Sequence, residues 1–293
     1  MMALVGTMWG LHAPALKLAF AAGFTFPQLV FGEFIVGSVA FAAAVLWQRA
    51  RIPRDPRFWR ILLAAAFAAC GVPLFLFWAY QLGPVSIGAT LLFLYVPFTQ
   101  AINACINRRT PPRAELISAT LVILGAFIAA DFLNTANADN LRGAPFAVLA
   151  ALCFAGFFVL TALIGRDATP AFRSLVCCAT SVLIMLVLAG LVGWPLLPTS
   201  PPPATAALWL LGLGIFGQVI PVFLLVNFGP RTGSGLGSIL TSTELPVAVG
   251  VSALVLGDNI SPAQIVGIVL VIFGIVFPHL PRRSLTQREP FGT

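Results

Sequence analysis

Charge is what this sequence has least of. Charged residues make up 9% of its 293 positions, where a soluble domain carries about 25% to clothe its surface. A water-facing fold is therefore excluded. Lysine is nearly missing, with Lys17 its single example, and histidine and tyrosine occur twice each. His12 and His279 form no HExxH motif, and no glycine-rich loop ends in a lysine. Zincin chemistry and nucleotide-phosphate cradling lose their signatures. The aspartates (Asp55, Asp131, Asp139, Asp167, Asp258) fall in breaks or at the ends of apolar runs, which argues against an intramembrane aspartyl dyad. Five cysteines, all inside apolar runs, are an odd number without metal spacing. They give no disulfide framework and no zinc site. No catalytic residue, metal or cofactor is expected. Strand-like alternation is missing too, which argues against a β-barrel. The first apolar segment has no basic start or clear cleavage site, so it reads as a permanent helix rather than a signal peptide.

Apolar residues are what is there. They make up 59% of the chain, and mean hydropathy is +1.00. The runs are about 20 residues long, enough for a helix to cross a hydrocarbon core of about 30 Å. The expected fold is all-α and integral to the membrane, with ten transmembrane helices. These lie near 2–21, 25–48, 58–81, 84–107, 113–133, 142–164, 172–193, 205–228, 232–256 and 261–280. The breaks after even-numbered spans, with the C-terminal tail, hold fourteen arginines, whereas those after odd-numbered spans hold only Arg142. That bias predicts both termini in the cytoplasm. It also accounts for the pI of about 9.9 without nucleic acid as a partner.

The chain repeats itself. Gly83-Pro84, Pro97 and Leu121-Val122-Ile123-Leu124-Gly125 have counterparts in Gly229-Pro230, Pro246 and Leu270-Val271-Ile272-Phe273-Gly274. Five spans per copy is odd, so the second copy is expected upside down. The domains read as a five-helix repeat over 1–133, an inverted repeat over 142–280 and a cytoplasmic tail over 281–293, with a central cavity between the halves. Inverted repeats are the architecture of alternating-access carriers. Pro14, Gly83, Pro84, Pro97, Gly229, Pro230 and Pro246 are the candidate hinges or helix breaks.

Ionisable groups at membrane depth are costly and mark function. His12 and Lys17 lie in the first span, Glu33 in the second and Glu244 in the ninth. At 1.5 Å of rise per residue, Glu33 and Glu244 both sit about 12 Å below the outer face. They are expected to share one polar cavity, with Lys17 as a candidate partner for Glu33. Alternatively, Lys17 snorkels to the headgroups. Glu244 precedes Leu245-Pro246 and is a candidate for binding or proton coupling. Trp9, Trp78, Tyr95, Phe154, Phe158 and Thr241 complete the candidate cavity lining. Each aromatic has a plainer reading as core or lipid-facing surface. Thr99, Gln100, Asn103, Gln218 and Asn227 either wet a cavity or join helices.

Glu244-Leu245-Pro246, Leu256-Gly257-Asp258, Ser261-Pro262-Ala263-Gln264, Gly267 and Gly274 together resemble the end of an EamA domain. Trp9-Gly10 followed by Lys17 is similar to that family's first helix. Two EamA units would cover the chain and place it in the drug/metabolite transporter superfamily. The compact form resembles bacterial amino-acid exporters of the YddG-like group. The resemblance implies a basket of helices with the fifth and tenth peripheral, and with Trp9 facing Phe154. It implies an inner-membrane exporter of small amphipathic metabolites, amino acids and aromatic ones among them. Expected partners are a small-molecule substrate and the bilayer, with a proton or counter-substrate for coupling. The alternative is a carrier of lipophilic cations, purines or sugar-linked compounds, or else a channel.

Overall fold

The computed structural model describes residues 1–50, 52–82, 85–129, 140–164, 168–198, 203–256 and 261–279. Gly83 and Pro84 and the expected tail 281–293 lie outside them. The described chain is helical throughout: α1 (Met2–Ala21), α2 (Phe26–Gln48), α3 (Pro56–Leu82), α4 (Val85–Leu92), α5 (Tyr95–Asn107) and α6 (Arg113–Ala129) come first. Then follow α7 (Ala144–Leu163), α8 (Pro170–Val192), α9 (Pro203–Leu213), a π-helical stretch (Gly214–Val219), α10 (Ile220–Thr232), α11 (Ser234–Thr241), α12 (Glu244–Leu256) and α13 (Pro262–Val276). Among the described residues, seven stretches are long and apolar enough to cross a membrane: Phe26–Gln48, Pro56–Leu76, Ile87–Asn107, Leu141–Leu163, Pro170–Val192, Ala204–Thr232 and Ser234–Val255. Large apolar side chains such as Leu191, Leu208, Phe216 and Leu254 stand exposed on the outside of the bundle. Water does not tolerate such a surface and lipid does.

Helix starts follow local chemistry. Thr169 accepts a hydrogen bond from the Phe172 N–H and is followed by Pro170 at the first helical position. Ser261 and Gln264 form a reciprocal capping box, with Pro262 between them. Proline at that position wastes no N–H, because the first N–H groups of a helix have no internal partner.

Prolines inside the spans shape the rest. A proline removes the N–H that would bond the carbonyl four residues earlier. Before Pro97 the helix breaks at Phe93-Leu94, and before Pro246 it breaks at Ser242-Thr243. Both breaks begin four residues before the proline. The hydrogen bonds repeat as well: Val96 N–H donates to the Phe93 carbonyl and Phe98 N–H to that of Leu94. In the second copy Leu245 N–H donates to Ser242 and Val247 N–H to Thr243. Two spans that read as continuous in the sequence are thus each two helices, at matched places in the two copies.

Pro230 behaves differently. The expected break at Gly229-Pro230 does not occur there, since α10 continues to Thr232 and leaves helical geometry at Gly233, with φ 82°. The carbonyl that Pro230 frees belongs to Val226, and the buried Arg173 donates its Nη2–H to it at 2.9 Å. A side chain from α8 has replaced the missing backbone donor, so the helix has no need to open. Arg173→Met is expected to cost about 1–3 kcal/mol by stranding that carbonyl, read as a lower unfolding midpoint in detergent. Pro230→Ala in the same background should recover part of the loss, because alanine restores the N–H. Equal loss in both backgrounds would show that the Val226 bond is not what Arg173 supplies.

The first helix of each copy packs on the broken helix of the other copy. α1 lies along α11 and α12, while α7 lies along α4 and α5. α6 and α13 pack chiefly on each other. Gly125 and Gly267 bring their backbones together: a Cβ on Gly125 would stand 2.6 Å from the Gly267 carbonyl oxygen. Small residues permit this approach in a membrane, where association rests on close packing.

Candidate functional site

The candidate site is organised by α1. One face of this helix presses on the α11–α12 break. A Cβ on Gly10 would stand 2.6 Å from the Glu244 carbonyl oxygen, and Gly6 lies against Thr241 and Thr243. Thr243 Oγ1–H donates across to the Ala3 carbonyl at 2.8 Å. Glycine is required here because any side chain would push the two backbones apart.

Another face of α1 meets the π-helical stretch. Trp9 Nε1–H donates to the Gly217 carbonyl at 2.9 Å. That carbonyl is available because Pro221, four residues on, has no N–H to give it. The logic is that of Val226 and Arg173: a proline frees a carbonyl, and a side chain from a distant helix takes it. π-Helical turns recur at functional sites.

His12 lies one turn beyond Trp9 and touches Gly217, where a Cβ would collide with its imidazole. His12 Nε2 and Glu33 Oε1 are 2.9 Å apart, with the two side chains only 14% and 12% exposed. Glu244 lies within electrostatic reach of the same histidine. Three of the four ionisable residues singled out in the sequence therefore meet at α1. His12 is thus a partner of Glu33. Lys17 is an exposed residue further along α1.

The aromatic candidates meet on the inner side. Trp9 packs edge-on against Phe154, with ring centroids 5.5 Å apart. Tyr95 lies 4.5 Å from Phe154 and stacks on Phe158 at 5.6 Å. Tyr95 O–H donates to the Ser238 carbonyl at 3.1 Å. These rings fill the interior by packing on one another, and Tyr95 is fully buried. Trp78 is elsewhere, against Phe146 and Trp194. Thr241 is buried and donates its hydroxyl to the Gly237 carbonyl of its own helix. Pro14 is buried inside α1 without ending it.

A groove of about 470 Å³ runs between α1 and α9. Its walls include Leu11, His12, Trp209 and Phe216. Phe216 and Leu208 beside it are 64% and 72% exposed, so the groove faces outward and His12 forms part of its wall.

Beyond the aromatic cluster, polar side chains tie the two copies together. Ser234 Oγ–H donates to Asn103 Oδ1 at 2.9 Å. Gln100 and Glu115 both close on Gly235. Glu115, Arg173 and Gly217 are not among the candidates that the sequence singles out. Glu115 left a usable signal, because it is the one acidic residue in the first turn of an apolar helix at the arginine-rich edge. Gly217 left its signal in spacing, four residues before Pro221, whereas Pro230 points to Val226 and leaves Arg173 unmarked.

Helical breaks inside apolar spans, ionisable groups gathered at α1 and an apolar exterior mark a membrane protein, and its family makes it a membrane transporter of small metabolites. The model of the EamA-like transporter family matches the chain twice, over residues 1–130 and 141–278, and the chain belongs to that family. No curated protein matches it. One similar solved structure, described as a crystal structure of a protein, superposes with a TM-score of 0.77 at 18% identity. The alignment covers 95% of this chain and 96% of the other, so the two share a fold.

Proposed function

We propose that this protein exports small amphipathic metabolites, amino acids first among them, across a bacterial inner membrane by alternating access. In this reading it spans the bilayer ten times, as two inverted five-helix halves with both termini in the cytoplasm. One observation carries the proposal. On successive turns of α1, Trp9 joins an aromatic cluster and His12 joins a carboxylate. A zwitterion with an apolar side chain asks for that combination: Trp9, Tyr95, Phe154 and Phe158 meet the side chain, while His12, Glu33 and Glu244 meet the charged ends. The halves move about the paired breaks at 93–94 and 242–243, where backbone bonds are already rearranged. The Asn103–Ser234 contact closes the arginine-bearing end and must part for substrate to enter from that side.

The test is a substrate panel in proteoliposomes, with aromatic and aliphatic amino acids set against a lipophilic cation. Amino-acid movement is expected. Movement of the cation with no amino acid moving would sink the reading. Linking Asn103→Cys to Ser234→Cys is expected to stop transport, and persistence in the linked state would rule out alternation. Glu244→Gln, measured with and without a proton gradient, tests coupling. Transport indifferent to both removes Glu244 as a coupling group.

A further inference from the structure

A second cavity, of about 410 Å³, has no lining residue on α1 and lies where the end of α2, the start of α8 and the end of α10 converge. Its walls carry Arg49, Arg173 and Arg231, together with the polar Gln48, Thr169 and Asn227. None of the described lining residues is acidic. Three of the chain's arginines, far apart in sequence, thus surround one space. At about 30 Å³ per water, that space exceeds a bare ion and suits a group of headgroup size.

The arginines divide the work. Arg173 is buried and fixed from within the fold by its bond to the Val226 carbonyl, so it forms a rigid positive floor. Arg49 and Arg231 are exposed at the rim. Arg49 ends α2 in the left-handed conformation, with φ 47°, which turns the chain at the mouth. The Arg231 guanidinium lies 5.2 Å from the Phe228 ring centroid, which limits its directions. The N-terminal turn of α8, at Thr169 and Pro170, lines the same space and adds the positive end of a helix dipole. On the last turn of α2, just before the lining residues Gln48 and Arg49, Leu46 and Trp47 are 77% and 84% exposed. An exposed apolar residue beside an exposed tryptophan marks the depth where acyl chains meet headgroups.

We infer that this cavity binds the phosphate of an anionic lipid headgroup, at the membrane face that bears the arginines. Guanidinium groups match phosphate oxygens two at a time, and basic pockets between membrane helices are lipid headgroup sites. The charge suits any phosphate. The apolar rim selects the lipid-borne one, because a free phosphate gains nothing from Leu46 and Trp47.

The experiment uses the full-length protein in detergent and follows its unfolding midpoint against added dioctanoyl phosphatidylglycerol, dioctanoyl phosphatidylcholine or inorganic phosphate. Phosphatidylglycerol is expected to act at concentrations at least tenfold lower than phosphatidylcholine. The double variant Arg49→Asn/Arg231→Gln is expected to lose that preference, with roughly tenfold or more weakening. Asparagine is chosen at 49 because it tolerates the left-handed conformation. Arg109→Gln, which does not line the cavity, is expected to keep the preference. Equal lipid preference in wild type and double variant would overturn the site, as would an equal loss in Arg109→Gln. Stabilisation by inorganic phosphate matching that of phosphatidylglycerol would overturn the lipid source and assign the cavity to a soluble phosphate. Should the double variant not fold, each single variant is expected to show part of the shift, and its absence in both would overturn the site.

Discussion

Glu33→Gln is expected to lower transport at least tenfold while leaving the protein folded. The carboxylate is within 2.9 Å of His12 Nε2 and little exposed, so the substitution removes a charge that water cannot replace. The effect on stability is expected to be smaller than the effect on transport, because glutamine still offers an oxygen to the imidazole. A double-mutant cycle with His12→Gln separates the two roles. Coupling of about 1–3 kcal/mol between the positions is expected from their contact. Additivity within about 0.5 kcal/mol would show that the pair does not act as a unit. Glu33→Asp, one methylene shorter, is expected to fall between wild type and Glu33→Gln in transport. Full activity in Glu33→Gln would remove Glu33 from the site.

Gly217→Ala should do as much harm without touching any charged group. In an ordinary helix interior, replacing glycine by alanine stabilises by about 0.5–1 kcal/mol. At Gly217 the sign reverses, because the added Cβ meets the His12 imidazole. The ring must leave either Gly217 or Glu33, and forced repacking of this kind costs about 1–3 kcal/mol. Gly212→Ala is the control: that glycine lies in α9, five residues earlier, with nothing within 4 Å of an added Cβ. It is expected to hold or raise the unfolding midpoint and to keep transport. The second control is size compensation. In a His12→Ala background the Gly217→Ala substitution is expected to cost less than it does in wild type, because the clash is gone, while transport stays low because the imidazole is missing. A Gly217→Ala protein with wild-type midpoint and transport would mean that the π-helical stretch yields freely, and that Gly217 does not set the position of His12.

These residues show what can be read from a string of letters. Glu33, His12 and Glu244 were legible because charge inside an apolar run is conspicuous whatever the fold. Pro97 and Pro246 were legible because of the repeat, and the consequence of each appears four residues upstream. The pairing of Glu33 was not legible. Which residues of α1 face α2 depends on the rotation of that helix. The rotation is set by Gly6 and Gly10 against α11 and α12. Trp78 misled for a similar reason. An aromatic side chain in an apolar span carries no label for inside or outside, and Trp78 packs with Phe146 and Trp194 instead of joining Trp9.

By itself, the sequence determined membrane residence, helical spans and a duplicated plan. Those follow from local quantities that survive any rearrangement of the helices: hydropathy over about 20 residues, the placing of arginines, and prolines at matched intervals. Only the tertiary structure decided which carbonyl freed by proline opens a helix and which is answered from elsewhere. Pro97 and Pro246 break their helices because the rearranged backbone bonds within the same segment. Pro230 leaves α10 intact because Arg173 reaches the Val226 carbonyl, and Trp9 reaches the Gly217 carbonyl next to Pro221 in the same manner. A buried carbonyl must be satisfied by something. Whether that partner lies three residues away or on another helix is a property of the packed molecule, and that difference separates a break from a fixed point in this fold.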